Sequence, residues 1–176
     1  MITLQELNVL GESEFVTLVG PVFEGSPWIA ERAWSARPFD DVDDLHRSLC
    51  QRLYGANEEE KLALIRAHPD LAGRAARKGA LTPESSAEQA GVGLDRLTQT
   101  EFASFSRMNE EYRTRFEFPF VICVGEHTKE SILAQFAARL ENDGQREVET
   151  ALEEICKIAR LRLRDLIEDS PPREHA

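Results

Sequence analysis

In the stretch "LIRAHPDLAGR" a histidine stands directly before a proline at what reads as a helix end. Proline disfavours the α region for the residue before it, so His68 is expected to leave its helix and project from a fixed turn. Histidine is the side chain best suited to proton transfer near neutral pH. A polar histidine at a helix end is the plainer description, and for an isolated His-Pro it carries more weight.

Three further segments carry residue types that could do chemistry. In "LTPESSAEQAGVGL", Thr82-Pro83 reads as a cap followed by a first helical residue. On such a helix Ser85, Glu88 and Gln89 share one face, offering a hydroxyl, a carboxylate and an amide. A carboxylate beside a histidine would raise its pKa and fix its tautomer. A well-capped, solvated surface helix fits the same residues. The run "FPFVICV", Phe118 to Val124, is apolar and extended. Its backbone groups need partners, which side chains, water or an amide-rich ligand can supply. Finally, Val148, Leu152, Ile155, Ala159 and Leu166 form one helical seam in which Arg162 takes the missing inward position. A buried guanidinium requires a paired anion or several acceptors, so Arg162 is either a structural ion pair or an anion-binding group.

The elements that must position these groups are helical. Thr3 with Glu6, Asn57 with Glu60 and Thr98 with Glu101 have capping-box spacing. Helices are expected after Thr3, near Ser13, from Pro27, after the acidic cluster Asp40–Asp44 to about Tyr54, and from Asn57 to His68. Others follow Thr98 and Thr128, and the last runs from about Gln145 to Glu168. One apolar run without a partner cannot form a sheet, so Phe118–Val124 is a buried extended connector. The expected fold is an all-α, single-domain bundle of roughly eight or nine helices over residues 1–169, with a polar tail at 170–176.

The chain has 176 residues, 41% hydrophobic and 30% charged, which suits a soluble globular protein. A net charge of −11 argues against nucleic acid as a partner. Cys50, Cys123 and Cys156 are widely spaced and fit free thiols. No apolar stretch is long enough to span a bilayer. The N-terminus lacks a signal-peptide pattern, and "PPREHA" is not a peroxisomal address, so the expectation is a cytoplasmic protein. His46, His68, His127 and His175 have no metal-ligand spacing.

Taken together, "EFVTLVGPVFEGSPWIAERAW", "RPF", "HPDLAG", "LTPESSAEQAGVGL", "RTRFEFPFVI" and "KIARLRLRDL" resemble the 2-oxo-4-hydroxy-4-carboxy-5-ureidoimidazoline (OHCU) decarboxylase family, in its order, from about Glu14 to Leu166. The resemblance implies an all-helical homodimer that turns OHCU into (S)-allantoin in urate breakdown without metal or organic cofactor. It implies that His68 is the catalytic histidine and Glu88 its carboxylate partner. Pro69, the run Ser85, Ser86, Ala87, Glu88 and Gln89, and the backbone of Phe120, Val121, Ile122, Cys123 and Val124 would line the substrate pocket. Arg162 would hold a substrate oxygen. The family commonly reads F-G-F-P-F where this chain has Glu117, and a glutamate is strained there if that position needs a positive φ. The rival is a noncatalytic all-α module that binds an anionic metabolite or a protein partner through Arg162 and the connector.

Overall fold

The computed structural model describes residues 1–73 and 81–168, so the expected tail at 170–176 lies outside the described residues. Within them nine α-helices account for almost all regular structure, as an all-α fold requires. The chain forms two compact units, Met1–Lys61 with the residues from Cys156, and Leu62–Ile155.

In the first unit, Thr3 accepts from the Glu6 N–H while Glu6 reaches back to the Thr3 N–H, starting α1 (Leu4–Val9). Helix α2 (Glu12–Val19) passes through a 3₁₀ turn at Gly20–Val22 to α3 (Trp28–Trp34). Pro27 already has helical dihedrals, φ −62° and ψ −20°, but stands at the cap, one position before its expected place. Arg37 stacks on Trp34 and donates to the Trp34, Asn8 and Leu10 carbonyls, while Asn8 exchanges two bonds with Phe39. The "RPF" run is thus a structural clamp. Asp41 caps α4 (Val42–Tyr54), which buries Leu45, Leu49 and Leu53 on one face. Asn57 and Glu60 cap α5 (Glu58–Ala67) reciprocally.

The second unit contains α6 (Pro83–Gly91), α7 (Gln99–Phe116), a 3₁₀ turn at Val124–Glu126 and α8 (Lys129–Arg139). Its core is aromatic: Phe105, Tyr112, Phe118, Phe120 and Phe136 are buried and in ring contact, with Phe120 stacked on Phe136 at 3.7 Å. Each such ring contributes about 1.5–3 kcal/mol of burial. This cluster makes Phe118–Val124 a buried connector outside any sheet.

Helix α9 (Gly144–Leu166) stops two residues short of its expected end. Ile167–Glu168 instead forms β2, paired in parallel with β1 (Ile2–Thr3). Among the described residues this small sheet is an element that was not expected. Its partners lie at opposite ends of the chain and carry no local strand signal.

Candidate active site

His68 stands where expected, one residue past the end of α5. Its N–H still bonds the Ile65 carbonyl at 3.2 Å, and its Nδ1 lies 2.9 Å from the Leu64 carbonyl oxygen. A carbonyl only accepts, so Nδ1 carries a proton in this contact. The ring is buried, 6% exposed, at the C-terminal end of α5.

The "HPDLAG" loop is held from several sides. Asp70 pairs with Arg113 at 2.8 Å, Asn109 donates to the Leu71 carbonyl at 2.8 Å, and the Ala72 N–H donates to Gln89 Oε1 at 2.9 Å. Gln89 Nε2 also reaches the Asp70 carbonyl at 3.4 Å. A Cβ on Gly73 would lie 2.9 Å from the Asp70 Cβ, which explains the glycine of the motif.

Gln89 therefore ties the histidine's loop to α6. Thr82 caps that helix by accepting from the Ser85 N–H, with Pro83 its first residue, as the sequence indicates. Ser85 and Gln89 are buried and Glu88 is half-buried, so the three share the covered side. Ser86 and Ala87 are exposed, on the other side of the helix. Helix α6 packs against the 3₁₀ turn Val124–Glu126, next to the connector.

Two peptide planes of the connector are gripped by charged side chains. Arg139 Nη1 donates to the Val121 carbonyl at 2.7 Å, and the Cys123 N–H donates to Glu154 at 2.8 Å. Arg139 lies over the Phe120 ring at 4.3 Å and meets Glu147 through Nε and Nη2, in a pair almost wholly out of water. Breaking such a pair from one side costs about 3–5 kcal/mol. Tyr112 and Asn142 also donate to Glu147. Burial, and then the bond to Glu147, push the Tyr112 phenol well above its ordinary pKa, so it stays a donor. Between the two gripped planes, neither the N–H nor the C=O of Ile122 has a protein partner among the described residues. The Cys123 N–H, expected to be open to a ligand, already has a carboxylate.

Arg162 is buried at 7% exposure, as the helical seam indicates. It belongs to the first unit, where Nη2 meets Glu24 at 3.0 Å and Nη1 approaches the Val22 carbonyl at 3.4 Å. The ion-pair alternative is thus present, in a residue 138 positions away. Sequence reasoning missed Glu24, Arg139, Glu147 and Glu154. The available signal was Glu147 and Glu154 seven apart beside the apolar seam of α9.

A cleft of about 770 Å³ between the "HPDLAG" loop and α7 is lined by Pro69, Asp70, Phe102, Asn109 and Arg113 among others. Of the expected residues it includes Pro69 alone.

The profile of the OHCU decarboxylase family matches residues 8–164. A 2-oxo-4-hydroxy-4-carboxy-5-ureidoimidazoline decarboxylase of Haloferax volcanii is 43% identical over 162 residues, covering 92% of this chain and 94% of its own. Among solved structures, an (S)-allantoin synthase is similar over 96% of this chain, at 25% identity and a TM-score of 0.75, although this chain spans only 54% of it. An OHCU decarboxylase structure with (S)-allantoin, 22% identical, shares the fold over 90% of this chain and all (100%) of its own, with a TM-score of 0.67. Matched from Asn8 to Arg164 with its histidine loop and α6 intact, this chain belongs to the OHCU decarboxylase family.

Proposed function

We propose that this protein decarboxylates OHCU to (S)-allantoin in urate degradation, as a cytoplasmic homodimer that needs no metal or organic cofactor and has neither nucleic acid nor membrane as a partner. The observation that carries the reading is Gln89, which joins the His68 loop to the helix bearing Glu88.

The substrate holds a carboxylate and a hydroxyl on one ring carbon, beside the ureido-bearing carbon that is doubly bonded to a ring nitrogen. When the bond to the carboxylate breaks, carbon dioxide leaves and the electron pair forms a double bond between the two carbons. The C=N electrons pass to the nitrogen, which takes a proton. Protonation of the ureido-bearing carbon and loss of the hydroxyl proton then give the product carbonyl. The substrate is its own electron sink. The protein's work is to hold the ring, place donors where charge develops, and deliver a proton to one face. His68 supplies that proton from Nε2, since Nδ1 is committed to Leu64. Glu88 supports the imidazolium, and Ser85 and Pro69 shape the pocket with the covered side of α6. Ile122 offers a donor and an acceptor to the substrate's amide and ureido groups. Gln89 acts through the loop it holds, with one N–H left to offer. Arg162 is assigned a substrate oxygen by the family resemblance alone, its observed ion pair being with Glu24.

Circular dichroism over time on freshly generated OHCU tests this. The expected outcome is rapid appearance of one enantiomer of allantoin with the wild type. The His68→Asn variant should fold, lose at least a hundredfold in turnover, and leave optically inactive product. Slow inactive product from the wild type, at the rate of the blank, would remove the assignment and leave a binding module. Residual product of a single hand from the variant would remove His68 as the donor.

A further inference from the structure

We infer that Arg139 and Glu154 are positioning residues for substrate binding: they clamp the two peptide planes on either side of Ile122, so that its N–H and C=O face the substrate as a donor–acceptor pair. The inference rests on the reading above that the connector lines the substrate pocket.

In a trans peptide the C=O of one residue and the N–H of the next point in opposite directions. Arg139 holds the Val121 carbonyl, so the Ile122 N–H in the same plane is directed away from Arg139. Glu154 holds the Cys123 N–H, so the Ile122 carbonyl in that second plane is directed away from Glu154. The two clamps are on one side of the connector. Arg139 is locked to Glu147, and Glu147 and Glu154 stand seven residues apart, two turns along one face of α9. The opposite side is where Ile122 presents both groups, and no described residue takes either. One donor beside one acceptor is the complement of an amide or ureido edge.

The clamps also carry the right charges. A cation on the Val121 carbonyl polarises that peptide and makes the Ile122 N–H a stronger donor. A carboxylate on the Cys123 N–H makes the Ile122 carbonyl a stronger acceptor. Neither effect needs the clamp to touch substrate. A buried ion pair is weak evidence of a stabilising role alone. Here the Arg139–Glu147 pair has a second output, because the guanidinium's remaining nitrogen is fixed on the connector.

Contacts to a ring amide are made in the ground state and the transition state alike, so their loss raises KM and spares kcat. Arg139→Lys keeps the charge against Glu147 but cannot fork to both Glu147 and Val121. Steady-state kinetics on OHCU should give a KM raised at least fivefold, kcat within twofold and an unchanged far-ultraviolet spectrum. Glu154→Ala should behave likewise, while Glu154→Gln, whose amide oxygen still accepts from Cys123, should return KM to within twofold of wild type. A folded Arg139→Lys with wild-type KM overturns the inference, and this variant decides alone if Glu154→Ala does not fold. A fall in kcat without a change in KM also overturns it. An inactive wild type removes the proposed function first and this inference with it.

Discussion

Glu117 shows how one residue can be strained in plain view. It closes α7 in the left-handed region, φ 62° and ψ 21°, where an L side chain costs about 1–2 kcal/mol relative to glycine. Its N–H bonds the Arg113 carbonyl, and its own carbonyl accepts from Arg66. Both are backbone bonds that glycine preserves. Part of the gain from Glu117→Gly is offset by the greater freedom of glycine in the unfolded chain, about 0.5–1 kcal/mol. The expected net effect is a stabilisation of about 0.5–1 kcal/mol, or about 1–4 °C in Tm, with KM and kcat unchanged. A thermal scan checks it, and a lower Tm would mean that the exposed glutamate side chain makes a contact worth more than the strain. The possibility of strain was legible from the residue type and the run that follows. Arg162 was legible too, because a helical wheel reports burial. Its partner Glu24 was not, because nothing local links residues 138 apart.

At the scale of the element, α6 separates positions that one motif runs together. Its cap and its first proline were readable, since both depend on neighbours within one turn. Which side of it is covered followed from spacing: Ser85, Glu88 and Gln89 face in, Ser86 and Ala87 out. What could not be read is that Gln89 turns back to the loop that follows His68. Gln89→Ala leaves the buried Ala72 N–H without an acceptor, at a cost of about 1–3 kcal/mol. Tm and kcat/KM should both fall, the second because the histidine's loop loses its tie. Ser86→Ala, on the exposed side, should alter neither. Equal kinetics for the two variants would show that the loop is held well enough by Asn109 and Arg113. The same limit hid β1 and β2, two residues each, and the grip of Arg139 on Val121. Each is a pairing between distant segments and leaves no periodic trace.

For the whole molecule, the net charge of −11 means that acidification toward the pI of about 4.9 relieves repulsion and should, on that ground alone, stabilise the fold. One histidine opposes this between pH 7 and pH 5. His46 is half-buried and donates through Nε2 to the Cys156 carbonyl at 2.7 Å. Burial is the largest influence on it and holds its pKa below the ordinary value of 6.5, outweighing the bond to Cys156. Arg160 and Arg164 push in the same direction, and Asp43 opposes them. The folded state therefore binds this proton less readily than the unfolded chain. Above pH 6.5 both states are neutral and nothing is lost. As the pH falls through 6.5 the unfolded chain takes up the proton first, so stability declines until the folded pKa is passed. Asp43 and Glu101 do not interfere in this window: Asp43 is held low by Arg160, and Glu101 is held at about 2, chiefly by its hydrogen bond to Lys129. Thermal midpoints at pH 7.5 and 5.5, at equal ionic strength, should thus fall more for the wild type than for His46→Gln. An equal fall in both would place the acid-sensitive group elsewhere, and a rise in both would mean that relief of the negative charge dominates.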